Sequence, residues 1–217
     1  APKESGRQCF SLPPPALLVS VASARQEVGS PTLAKKDSCF VYAYWCWFLA
    51  ILATACAVCA NIFPVFQKEN ELVTTKQTLW YNEVILPDGN ETEQKVSKSL
   101  CGQYKLFFQV SEGTAVGAAG VGLIVVGIAV TQLFLHERIC CFIYGVSLLI
   151  DLAFAASGVC VALLVYGYMK GYCQDDTALS PLYAPFKDQD YKFAESFYLI
   201  CVACALFLIS GFFHCCA

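Results

Sequence analysis

Charge is scarce in this chain: 14% of its 217 residues are Asp, Glu, Lys or Arg, against about a quarter in soluble domains. Hydrophobic residues make up 57% and the mean hydropathy is +0.56, so a water-soluble globule is excluded and the lipid bilayer is the implied partner. Histidine is scarcer still. The two present, His136 and His214, stand far apart, and no nucleophile has a base beside it, which argues against an enzyme and for the absence of a cofactor. The net charge of −3 is small and scattered, so no nucleic acid is expected as a partner.

Long apolar runs fill the space that charge leaves. Residues 113–135 carry no charge, and as a helix they cross a hydrocarbon core of about 30 Å with every peptide group satisfied internally. Gly113, Gly117, Gly120 and Gly127 recur there at helical spacing and predict a face of nearly bare backbone for close helix packing; Ala118 and Gly122 repeat the pattern on an adjacent face. Residues 39–66 and 196–217 are uncharged except for His214, and residues 139–169 contain only Asp151. The expected fold is an all-α membrane protein: a four-transmembrane-helix bundle with spans at about 39–66, 110–135, 139–169 and 193–215, and a small extracellular lobe with room for short β-strands.

The intervening segments fit that plan. Residues 1–38, with three consecutive prolines and mixed charges, read as a disordered or partner-bound tail, whether or not Ala1 follows processing of a longer leader. Phe40, Tyr42, Tyr44, Trp45 and Trp47 behind Lys35 and Lys36 mark a headgroup level. In the first outer loop, residues 67–109, segments 73–80 and 84–86 are candidates to pair as strands, and Pro87-Asp88-Gly89-Asn90 is a turn carrying the glycosylation acceptor Asn90. His136-Glu137-Arg138 is so short a link that the second and third spans must be antiparallel neighbours. The second outer loop is residues 170–192, whose Asp175-Asp176 pair reads as solvated surface.

Four spans put both termini and the short turn on one side and the two larger loops on the other. Lys35, Lys36 and Arg138 near the spans favour cytoplasmic termini in the plasma membrane, an organellar membrane being the alternative. Cys140, Cys141, Cys215 and Cys216 then become candidates for palmitoylation. The CxxC pairs, Cys56 with Cys59 and Cys201 with Cys204, read as small apolar residues inside spans. Cys101 and Cys173 are the only cysteines assigned to the opposite face outside the spans, so they are expected to form a disulfide, free thiols being the alternative.

Thr78-Leu79-Trp80 after the first span, Cys101 ahead of the Gly/Ala-rich second span, Cys173, and Phe186-Lys187-Asp188 with Tyr191 and Phe193 before the fourth span resemble the amastin family. These are kinetoplastid surface glycoproteins with a four-span, claudin-like topology, and the resemblance covers roughly residues 39–217. It differs in two places: Tyr81 rather than glycine follows Trp80 with no cysteine flanking it, and a long tail precedes the first span. The resemblance implies a surface membrane protein with no established enzymatic activity.

Three functions are weighed. The first is a structural, adhesive or interaction protein of the surface, touching other membrane proteins or itself. The alternative is an accessory subunit of a larger membrane complex. The third, transport or proton relay, rests on Asp151, whose carboxyl lies well inside the third span; Thr54 at a similar depth suits it better as a hydrogen-bonded packing residue.

Overall fold

A computed structural model describes residues 31–70, 73–135 and 140–216, with side chains over residues 44–70, 73–131 and 145–213. The first helix, α1, spans Pro31–Ala60. It opens on a proline, whose missing N–H costs nothing at a helix start, so residues 31–38 of the expected tail are helical. It stops six residues before its apolar run ends: Asn61 Nδ2 donates to Ala57 O at 2.8 Å, and Pro64 cannot extend the ladder. Phe66, expected inside the first span, instead opens strand β1, Phe66–Glu69.

Helix α2 runs Gly102–Leu135, 34 residues or about 50 Å, and begins well before the expected span at 110. Nothing in residues 103–112 breaks a helix, and Tyr104, Phe108 and Ser111 bury one stripe of the added turns. Helix α3, Cys140–Lys170, matches the expected third span to within a residue. Helix α4 is Glu195–Cys216, with Glu195 favourably placed in its first turn. Its start lies two residues later than expected because Lys192–Phe193 forms a strand. The turn expected at His136–Arg138 lies outside the described residues.

Among the described residues three helical stretches are long and apolar enough to cross a membrane: Gly102–Thr131, Gly145–Lys170 and Glu195–Phe213. The described apolar part of α1, Tyr44–Ala60, is shorter. Helix α1 packs on α2 and α4, and α3 packs on the same two, so the order around the bundle is α1-α2-α3-α4. Its middle layer joins Ala53, Ala57, Ala119, Ala153 and Ala203 around Phe207, small residues that let the backbones approach.

The glycines expected at the helix contact face away from it. A Cβ on Gly113, Gly117, Gly120 or Gly127 would meet nothing within 4 Å. At 3.6 residues per turn they lie opposite the buried stripe of Ala115, Ala118, Gly122 and Val125, so the contact uses the Ala118–Gly122 face. What selects that face is the knob offered by α1, since the Thr54 side chain occupies the space beside Gly122.

Above the bundle sits a five-stranded antiparallel sheet in the order β4-β3-β2-β1-β5. Its strands are β1, β2 Thr74–Gln77, β3 Tyr81–Ile85, β4 Glu91–Lys95 and β5 Lys192–Phe193. The expected strand over 73–80 ends at Gln77 because residues 78–80 turn, and Gln77 pairs with Asn82 across that turn. Strand β1 pairs Phe66 with Gln77 on one side and with Phe193 on the other, which ties the two outer segments into one sheet. A short 3-10 turn, Val96–Lys98, then leads to Cys101 and α2.

Candidate functional site

In the lobe, residues distant in sequence converge around a polar cleft. Its floor is aromatic. Phe66 is 1% exposed and stacks on Phe186 at 4.5 Å between centroids, with Phe193 at 5.5 Å. Tyr104, on the first turn of α2, meets Phe108 at 4.6 Å, Tyr183 at 5.1 Å and Tyr172 at 5.3 Å. Such offset and edge contacts fix ring orientation as well as burying area.

Thr78, Leu79 and Trp80 form the β2–β3 turn. Thr78 Oγ1 accepts the N–H groups of Trp80 and Tyr81 and donates to Tyr81 O, satisfying the turn locally. Leu79 drops into the core, 2% exposed, while Trp80 Nε1 donates to Asn61 O at the end of α1. The three residues therefore pin the sheet to the bundle. None of the three lines the cleft described below, but Thr78 O accepts from Gln77 Nε2 and Trp80 O from the Val96 N–H, so the turn braces two residues of its wall.

Cys101 and Cys173 are joined by a disulfide, with Cα atoms 6.1 Å apart and a sequence separation of 72. Because α2 starts at Gly102, the cysteine stands directly at the helix end and not at the end of a slack linker. Gln103 Oε1 accepts the Cys173 N–H at 2.9 Å beside the bond. The second outer segment turns there on Gly171, at φ +66, where a Cβ would lie 2.7 Å from Pro185 N; only glycine combines that backbone with that space.

Between the sheet and this segment opens a cleft of about 310 Å3, lined by Gln77, Asn82, Gln94, Lys95, Tyr183 and Gln189 among others. Its polar side chains are amides, phenols, the Ser99 hydroxyl and one ammonium, with no carboxylate in the lining. Several are already committed: Tyr104 Oη donates to Gln77 Oε1 at 3.0 Å, and Gln189 Nε2 donates to Ala184 O. Asn82 Oδ1 is not; it is buried without a hydrogen-bond partner among the described residues. Burial raises the Tyr172 phenol above its usual range, with Tyr166 adding to the effect. Burial raises Tyr191 too, offset in part by its bond with Thr75. The cleft thus offers neutral rings and amides to a ligand able to donate a hydrogen bond.

Other expected positions fall elsewhere. Asn90 is exposed on the β3–β4 turn, its Nδ2 donating to Asp88 Oδ2 at 2.7 Å, with Gly89 at φ +80. Asp176 Oδ1 accepts the Ala178 N–H and shapes a turn, and no three His, Cys, Asp or Glu side chains converge as a metal site among the described residues. Cys56, Cys59, Cys201 and Cys204 are free thiols. The side chains of Cys140, Cys141, Cys215 and Cys216 lie outside the described residues.

Asp151 and Thr54 do not meet as expected. Thr54 donates to Ala50 O at 2.7 Å and packs on Gly122, whereas Asp151 is exposed on the outer surface of α3, beside Gly211 of α4. The helical phase explains it. Ile150 and Ala153 occupy the core stripe, which turns the intervening Asp151 outward. Strand β4 and the cleft were not foreseen, since Glu91–Lys95 is exposed throughout and gives no alternation, and the cleft forms only when two loops meet.

No protein-family model matches the chain, and no curated protein matches it. Fold and lobe define a class: an integral membrane helical protein whose bundle carries a disulfide-closed antiparallel lobe at one end.

Proposed function

We propose that this chain is a multi-pass surface protein of the structural, adhesive or interaction type, crossing the plasma membrane four times with both termini cytoplasmic and the lobe outside. The observation that carries the reading is the union of two outer segments into one rigid lobe, through the Cys101–Cys173 bond and the β1–β5 pairing. Rigid presentation lowers the ordering cost of binding, and the cleft lined by amides and phenols gives the lobe a polar surface to offer. A disulfide belongs in an oxidising compartment, which supports the outward orientation. Thr78-Leu79-Trp80, on which the amastin resemblance rests in part, anchors the lobe to the end of α1.

Labelling of intact cells with a membrane-impermeant amine reagent tests the proposal. Lys95 and Lys98, both exposed, should be modified before permeabilisation, and glycosidase should shift the mass of the wild-type chain but not of Asn90→Gln. Labelling of Lys95 and Lys98 only after permeabilisation would falsify the surface reading.

A further inference from the structure

We propose that the cleft between the sheet and the second outer segment binds a neutral sugar ring, the terminal hexose of a glycan. Strand register builds its polar wall. Gln77 pairs with Asn82 and Asn82 with Gln94, so three amides stand in one row on one face of β2, β3 and β4. The same row continues through Phe66 to Phe193. At that end it is covered, Phe186 stacking on Phe66, whereas at the β4 end it emerges, Gln77 being 1% exposed and Gln94 lying at the surface. The cleft opens where the row changes from aromatic to amide.

The amides differ in what they have left to give. Gln77 is committed, accepting from Tyr104 Oη and donating to Thr78 O and Tyr81 O, and Asn82 Oδ1 is buried out of a ligand's reach. Asn82 Nδ2, the whole amide of Gln94 and Gln189 Oε1 make no hydrogen bond among the described residues. Tyr183 Oη accepts the Leu100 N–H at 3.2 Å and keeps its own proton to donate.

This set matches a polyhydroxyl ring. An amide presents a donor and an acceptor side by side, and adjacent sugar hydroxyls accept and donate in the same way. The C–H face of such a ring is apolar and suits the half-buried rings of Tyr183 and Tyr191 in the opposite wall. Other chemistries are served less well. A phosphate or carboxylate calls for converging charged donors, and Lys95 stands with Tyr81 in the neighbouring row, which alternates to the other face of the sheet. A hydrocarbon would leave the amides unpaired. A volume of about 310 Å3 suits a small ligand.

The sugar comes either from another molecule or from a glycan on Asn90 of the same chain, so the test uses the full chain in lipid nanodiscs both as wild type and as Asn90→Gln. Methyl glycosides of glucose, galactose and mannose are titrated in, and saturation-transfer NMR reads binding against empty nanodiscs. At least one should bind with a Kd on the order of 1 mM. Binding to both forms assigns an external sugar, and binding to Asn90→Gln alone assigns the chain's own glycan. Gln94→Leu, at an exposed position, should weaken binding about tenfold, while Lys95→Met should stay within about twofold. An intact Cys101–Cys173 bond and an unchanged unfolding midpoint report the fold of each variant. This ligand rests on the interaction reading above, yet purified protein reports it whichever membrane the lobe faces, so failed surface labelling and failed binding are separate results. The proposal is overturned if no glycoside binds either form, if Gln94→Leu binds as tightly as its parent, or if inorganic phosphate binds more tightly than every glycoside.

Discussion

Gly122 of α2 lies against Thr54 of α1 so closely that a Cβ on the glycine would stand 2.5 Å from Thr54 Oγ1. Thr54 is 3% exposed and its hydroxyl is committed to Ala50 O, so the side chain has little room to yield. Gly122→Leu should therefore destabilise the bundle by about 1–3 kcal/mol through overpacking. Gly117→Leu, on the opposite face with nothing within 4 Å, should change stability by less than about 0.5 kcal/mol. Thermal unfolding of the two variants in one detergent separates them, and equal losses would contradict the assigned helix face.

The disulfide closes a long loop across the lobe. On the chain-entropy account, a Cys101→Ser, Cys173→Ser variant should lose about 4 kcal/mol, since 72 residues separate the partners. Alkylation of the folded, unreduced protein should leave both cysteines unmodified, while Cys56, Cys59, Cys201 and Cys204 remain available as thiols once the protein is unfolded. Intact mass reads both results.

Phe66 sits where the sheet, α3 and the second outer segment meet, stacking on Phe186 and contacting Tyr168 and Phe193. Truncation leaves a cavity that three separate elements would have to collapse into. Phe66→Ala should cost about 3–5 kcal/mol, measured by denaturant unfolding. Leu86→Ala, at an exposed position beyond β3, provides the control and should lie near the wild type.

Alkali should weaken the lobe. Tyr172 and Tyr191 ionise at higher pH folded than unfolded, because burial disfavours the phenolate. The unfolded chain therefore releases these protons first as pH rises past about 10, and stability falls from there; below that pH the contribution is complete. Denaturation midpoints followed from pH 8 to 11 should drop at the upper end, and Tyr172→Phe with Tyr191→Phe should flatten the slope. A slope unchanged by the double variant would assign the alkaline loss to other groups.

The sequence by itself determined the membrane class and the run of long helices, because burying apolar side chains and satisfying peptide groups in hydrocarbon are constraints that each segment meets alone. It also located the Pro87–Asn90 turn, where Gly89 adopts φ +80 and Asp88 accepts locally. The tertiary structure decided whatever depends on a facing surface. Both faces of α2 were rich in small residues, and only the position of Thr54 chose Gly122 over Gly117. Phe66 reads as the tail of an apolar helix until Gln77 and Phe193 hydrogen-bond to either side of it as strands. Asp151 counts to the interior of its own helix, yet whether it turns inward or outward is fixed by which neighbours α3 packs against. The cleft beside Asn82 has no local signature, because two loops about 90 residues apart in sequence build its walls.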